Sequence, residues 1–142
     1  MPASTYLSNP VVKVGTAIGT IVDISDDTVA ATLTVTAEPL EDTSFGQTSR
    51  TMTAGLFSNS LTLTVFASYA ASQSYAILAP LLGTKCVVKV NPTTAADGST
   101  NPGFILTDTY LSSIPVINAS LGELSQWDIE FQGGTYSVDV TP

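Results

Sequence analysis

The stretch Gln126-Trp127-Asp128-Ile129-Glu130-Phe131-Gln132-Gly133-Gly134-Thr135-Tyr136-Ser137-Val138-Asp139-Val140 carries the strongest local signal in the chain. On both sides of the glycine pair, apolar and polar residues alternate with period two, the repeat of a strand with one buried face. Two such strands separated by Gly-Gly read as a two-residue β-hairpin. Counting outward from the turn predicts Phe131 opposite Tyr136, Ile129 opposite Val138 and Trp127 opposite Val140 on a core face. The other face then carries Glu130 against Ser137 and Asp128 directly across from Asp139, a like-charge pair costing about 1 kcal/mol when solvated.

Period two recurs upstream. In Ala31-Thr32-Leu33-Thr34-Val35-Thr36-Ala37 the apolar residues share one face and the threonines the other, which predicts a half-buried strand. Residues 15–24 read as its antiparallel hairpin partner, with Ser25-Asp26-Asp27-Thr28 as the turn. Leu61, Leu63 and Val65 alternate with Thr62, Thr64 and Phe66 in a strand either amphipathic or buried on both faces, and further strands are predicted over residues 86–90 and 104–111. Another is expected to begin near Ile114-Pro115-Val116, with Pro115 confined to an edge or bulge.

The period changes once. Residues 69–82 are alanine-rich, nearly free of β-branched side chains, and stop at Gly83, which predicts a helix with Ser68 or Ser72 as N-cap and Gly83 just past the C-terminus. Ala70, Ile77, Leu78, Leu81 and Leu82 form its apolar stripe, and Pro80 should kink or end the last turn. The residues alone therefore predict an all-β assembly subunit with one flanking α-helix, built as a single domain over residues 1–142.

Composition excludes much chemistry. Twelve acidic against four basic side chains give a net charge of -8, so Lys13, Arg50, Lys85 and Lys89 are too few to build a DNA-backbone-binding patch. Without histidine the chain has no imidazole base and lacks the commonest transition-metal ligand. Cys86 is the lone cysteine, so no intrachain disulfide or CxxC site forms, and its apolar surroundings predict a buried small hydrophobe. The glycines form no phosphate-cradling loop, because Gly15-Thr16-Ala17-Ile18-Gly19-Thr20 lacks the P-loop lysine. No enzyme activity, cofactor or metal is expected. The start, Met1-Pro2-Ala3-Ser4-Thr5, lacks a signal-peptide pattern, and no apolar run reaches the roughly 20 residues that span a bilayer. The chain is expected to stay where it is made, without membrane binding, so the sequon Asn118-Ala119-Ser120 is read as chance.

Two features point to binding. The acidic set Asp128, Glu130 and Asp139 reads as a plain solvated face, a calcium site, a carboxylate pair of the glycosidase kind, or a surface kept negative to repel a polyanion. The spacing fits no EF-hand, and a flat hairpin offers no cleft between an acid and a base. The polar stretch at about residues 38–50 is long for a hairpin connection and holds Glu41, Asp42, an isolated Phe45 and a lone Arg50. It reads either as a plain loop or as an arm that docks on a neighbouring subunit.

From Glu38 onward the order of elements resembles the major tail tube proteins of long-tailed bacteriophages. The resemblance rests on a polar loop ending in Ser49-Arg50-Thr51, a strand, the single helix, and strands at residues 85–90 and 104–111. Leu121-Gly122-Glu123-Leu124 then leads into Trp127-Asp128-Ile129-Glu130-Phe131-Gln132-Gly133-Gly134. It implies an antiparallel β-sandwich or barrel of the phage tail tube type, whose subunits form hexameric rings stacked into a hollow tube for genome ejection. It further implies a virion tail location after synthesis in the host cytoplasm, with tape measure, tail terminator and tail-tip proteins as partners and DNA only passing through. Some of Asp23, Asp26, Asp128, Glu130 and Asp139 would face the lumen. Residues 38–50 and an N-terminal arm at about residues 1–10 would contact neighbouring subunits or rings. Two other readings stand beside it. One is a capsid decoration protein on the phage head. The other is a ligand- or carbohydrate-binding β-sandwich, which needs a pocket of converging aromatics, whereas Tyr6, Tyr69, Tyr75, Tyr110, Trp127 and Tyr136 are spread along the chain.

Overall fold

A computed structural model describes residues 10–71, 73–119 and 121–141. The expected N-terminal arm lies almost wholly outside them, as does the candidate N-cap Ser72. The strands are β1 (Val11–Gly15), β2 (Val22–Asp23), β3 (Thr28–Glu41), β4 (Met52–Phe66), β5 (Lys85–Asn91), β6 (Gly103–Leu111), β7 (Gln126–Gln132) and β8 (Thr135–Asp139), with one short helix, α1 (Ser74–Leu78). All strand pairs are antiparallel, in the order β2-β1-β5-β6-β7-β4-β3, with β8 also on β6. No helix of the described residues is long and apolar enough to cross a membrane.

The sheet bends around one core. Leu61, Leu63 and Val65 of β4 and Trp127, Ile129 and Phe131 of β7 meet Val12 and Val14 of β1, Cys86 and Val88 of β5, and Leu106 of β6. Each such side chain contributes roughly 1.5–3 kcal/mol on burial. The alternation in β7 thus predicted its buried face, β4 proves to bury one face over Leu61–Val65 rather than two, and Cys86 is buried as expected.

The pairing of the C-terminal strands differs from the expectation. β7 and β8 do not form a hairpin but follow one another along the same neighbour: Leu111↔Phe131 and Tyr110↔Gln132 pair β6 with β7, and Thr107↔Thr135 through Gly103↔Asp139 pair β6 with β8. Gly133 and Gly134 (φ +74° and +92°) are therefore a bend inside one long strand, opposite Asp108, itself at φ +61°. The bend is pinned from β4, where Asn59 Nδ2 donates to the Gly134 carbonyl at 2.9 Å and the Asn59 carbonyl accepts from Gly133 N–H at 2.8 Å. Two glycines at positive φ suit a tight turn and a bend equally, so local sequence does not choose between them. In consequence Trp127, Ile129 and Phe131 face Val65, Leu63 and Leu61, Val138 and Val140 are exposed, and Asp128 does not face Asp139.

Three more expectations are corrected. Residues 15–24 do not pair with β3: β1 pairs with β2 and β5, and β3 pairs with β4 over its whole length. Segment 112–125 contains no strand among its described residues, although Ile114 packs on the core. The helix is shorter than predicted, continuing only as a 3-10 turn through Ala79–Leu81 where Pro80 interrupts it. Gly83 (φ +77°) lies just past the 3-10 turn, and the helix start is fixed from elsewhere: the Asp27 carboxylate accepts from Ser74 N–H at 2.9 Å. Ser68 does not cap with its side chain; its backbone N–H donates to Ser74 Oγ at 3.0 Å.

Candidate functional site

Three strands present one polar surface. The register aligns Thr32, Thr62 and Glu130 in one row, Thr34, Ser60 and Gln132 in the next, and Ala30, Thr64 and Asp128 in a third, across β3, β4 and β7. These side chains alternate with the buried ones and point away from the core. Thr64 Oγ1 donates to Asp128 Oδ1 at 2.8 Å. None of the three strands contains lysine or arginine, so the two carboxylates lack a cation on these strands. Such a face stays hydrated and repels polyanions over a screening length of about 8 Å.

Of Asp23, Asp26, Asp128, Glu130 and Asp139, the structure places Asp128 and Glu130 side by side on this face. Asp139 lies on β8 opposite Gly103, where its carboxylate accepts from Thr141 N–H at 2.9 Å. Asp23 sits on β2 opposite Lys13 and accepts from Ser25 N–H at 2.8 Å, while Asp26 is exposed in the adjoining 3-10 turn. Among the described residues no group of three or more His, Cys, Asp or Glu side chains could hold a metal ion. Burial pushes the Cys86 thiol up, against a lowering hydrogen bond from Thr84, which leaves an inert core residue.

The long polar stretch is the end of a hairpin arm. β3 runs on to Glu41 and β4 starts at Met52, so the connection is 42–51 and the expected loop is partly strand. Internal bonds order it: Thr51 N–H donates to Thr43 Oγ1 at 2.8 Å, Asp42 N–H to the Thr51 carbonyl at 3.0 Å, and Ser44 N–H to Gln47 Oε1 at 2.6 Å. Glu41, Asp42, Phe45 and Arg50 do gather at this tip. Arg50 approaches Glu41 only to 3.9 Å, with both side chains largely in solvent, a pair of little energetic weight. Phe45 is fully exposed, and Leu40, Met52, Leu56 and Phe57 along the arm are exposed as well. The alternation of residues 31–37 holds, but only Ala31 and Leu33 pack on the core, because from Val35 onward the arm leaves it.

A second apolar region escaped sequence reading. Val116, Ile117, Leu121 and Leu124 are exposed in segment 112–125, beside the start of β7, where Gln126 pairs with Phe66 and the Ser125 carbonyl accepts from Ala67 N–H at 2.9 Å. The sequence signal was the apolar character of Ile114-Pro115-Val116 and its surroundings, which predicted a strand rather than an exposed surface. On another side, an open groove of about 680 Å³ separates β3 from the opposing strands, lined by Val12, Val29, Leu33, Val90 and the stacked pair Phe104 and Tyr136.

No protein-family model and no curated protein sequence matches the chain. Solved structures do. A chain in the anti-feeding prophage baseplate, 6-fold symmetrised, matches with TM-score 0.64 at 13% identity, covering 97% of each chain. One in the PVC sheath/tube terminator of an extracellular contractile injection system, in the extended state, gives TM-score 0.66 at 12% identity over 97% of this chain and 98% of that one. One in the tail of an empty gene transfer agent particle, refined helically with C6 symmetry, gives 0.65 at 14% identity over 98% and 100%. The chain shares its fold with these tail and injection-system chains. At these identities the likeness establishes architecture: an antiparallel β fold with one short helix, as the resemblance to tail tube proteins implied.

Proposed function

We propose that the chain is a non-enzymatic structural subunit of a phage-like tail tube, assembling with itself into hexameric rings that stack around a channel for DNA. The observation that carries this reading is the base-free face of β3, β4 and β7, with Asp128 and Glu130 among six hydroxyl or amide side chains. Lining a channel, it would let a polyanion slide without being held. The edge of β3, unpaired among the described residues, supports the reading, since pairing it with a neighbouring copy removes an aggregation-prone edge. The shared fold adds support, because chains having it come from particles solved with six-fold symmetry. Tape measure, terminator and tail-tip proteins are the proposed partners and the virion tail the proposed location.

The test is electron microscopy of the purified protein at high concentration. Tubes or rings with six-fold symmetry are expected. Monomers alone would overturn the proposal, and trimers would favour capsid decoration.

A further inference from the structure

β4 runs unbroken from Met52, paired with Glu41 at the arm, to Phe66, paired with Gln126 beside segment 112–125. The two exposed apolar regions of this sheet therefore lie at opposite ends of one strand, separated by roughly 45 Å at about 3.3 Å per residue. The arm points away from its own segment 112–125, being paired down to its last residues, so the two regions can meet only between copies.

Their charges match. Arg50 is the only cation of residues 38–58, and its side chain is 80% exposed. Glu123 is the only charged residue of segment 112–125 and is exposed among Ile117, Leu121 and Leu124. We infer that segment 112–125 is the docking surface for the arm tip of a second copy, Phe45 seating among Ile117, Leu121 and Leu124 while Arg50 meets Glu123. The inference rests on the tube reading and names the receptor for the arm. Because the two surfaces differ, the contact is head-to-tail, and on the tube reading it is the contact between stacked rings.

Charge exchange tests it. Arg50→Glu and Glu123→Arg should each raise the critical concentration for assembly by about tenfold or more, the cost of juxtaposed like charges, and the double variant should restore it. Failure of the double variant to recover, with each single variant still monomeric and folded by circular dichroism, overturns the pairing. Position is read separately by mixing Phe45→Cys with Leu121→Cys chains under oxidising conditions, Cys86 being buried. An interchain disulfide between them is the expected result. Wild-type tubes without that bridge overturn the inference and leave the tube reading intact, as does a bridge from Phe45→Cys to Phe104→Cys, which would place the arm in the groove. A wild type that never assembles overturns both.

Discussion

Replacing Gly134 with alanine should cost far more than replacing Gly133, although the two glycines are adjacent and both have positive φ. At Gly134 a Cβ would stand 2.6 Å from the Thr107 carbonyl oxygen and 2.9 Å from Thr109 N, so the backbones of β6 and the bent strand must separate. The left-handed conformation costs about 1–2 kcal/mol, and forcing the chains apart adds about 1–3 kcal/mol, for a sum near 2–5 kcal/mol. At Gly133 no atom lies within 4 Å of the same Cβ, leaving only the conformational cost. For a chain of this length each kcal/mol moves Tm by about 2–4 °C. Gly134→Ala should thus melt about 4–20 °C below wild type and Gly133→Ala only about 2–8 °C below. Thermal denaturation followed by far-UV circular dichroism reads the difference. Equal losses from the two variants would refute the bend and restore the two-residue hairpin, in which both glycines play the same part.

Two further outcomes are expected. Lys89 Nζ lies 2.6 Å from Asp97, and this hydrogen-bonded cation, with Asn91 adding a second bond, holds the Asp97 carboxyl below its usual 3.8 against the opposing effect of burial. A depressed folded pKa contributes stability above the unfolded value and loses it as pH falls through the folded one, so the Tm advantage of wild type over Asp97→Asn should be full at pH 7 and close below about pH 4; a gap independent of pH would contradict this. Asp128→Lys with Glu130→Lys should leave the monomer folded, because both side chains are in solvent, yet slow DNA release from assembled particles; unchanged release would place that face away from the DNA path.

Much of the fold was legible where burial and local period coincide. Leu61, Leu63, Val65, Trp127, Ile129 and Phe131 alternate because their strands have one wet face, and that pattern survives any choice of partner. Partner choice did not survive, because it is decided by residues far apart in the chain: Asn59 fixes the Gly133–Gly134 bend from β4, and Asp27 caps a helix that starts at Ser74. Asp128 and Glu130 were found because they sit on an alternating strand. Their neighbours Thr32, Thr34, Ser60 and Thr62 join them only through the β3-β4-β7 order, which no local window contains. The outer half of β3 looked half-buried for a similar reason: its alternation continues past the point where the core stops. Segment 112–125 was misread in part, the strand expected near Ile114-Pro115-Val116 being absent, and its exposed apolar residues were missed because no sustained period shows which way they point.

The bend at Gly133–Gly134 also has a mechanical consequence. A hairpin pulled at its ends unzips one rung at a time, each bond bearing the load alone. The antiparallel run of β6 against β7 and β8 instead passes through both halves of the sheet, so tension along it loads many rungs together in shear. Tension along that line must break the two rungs to β7 and the five to β8 together rather than in turn.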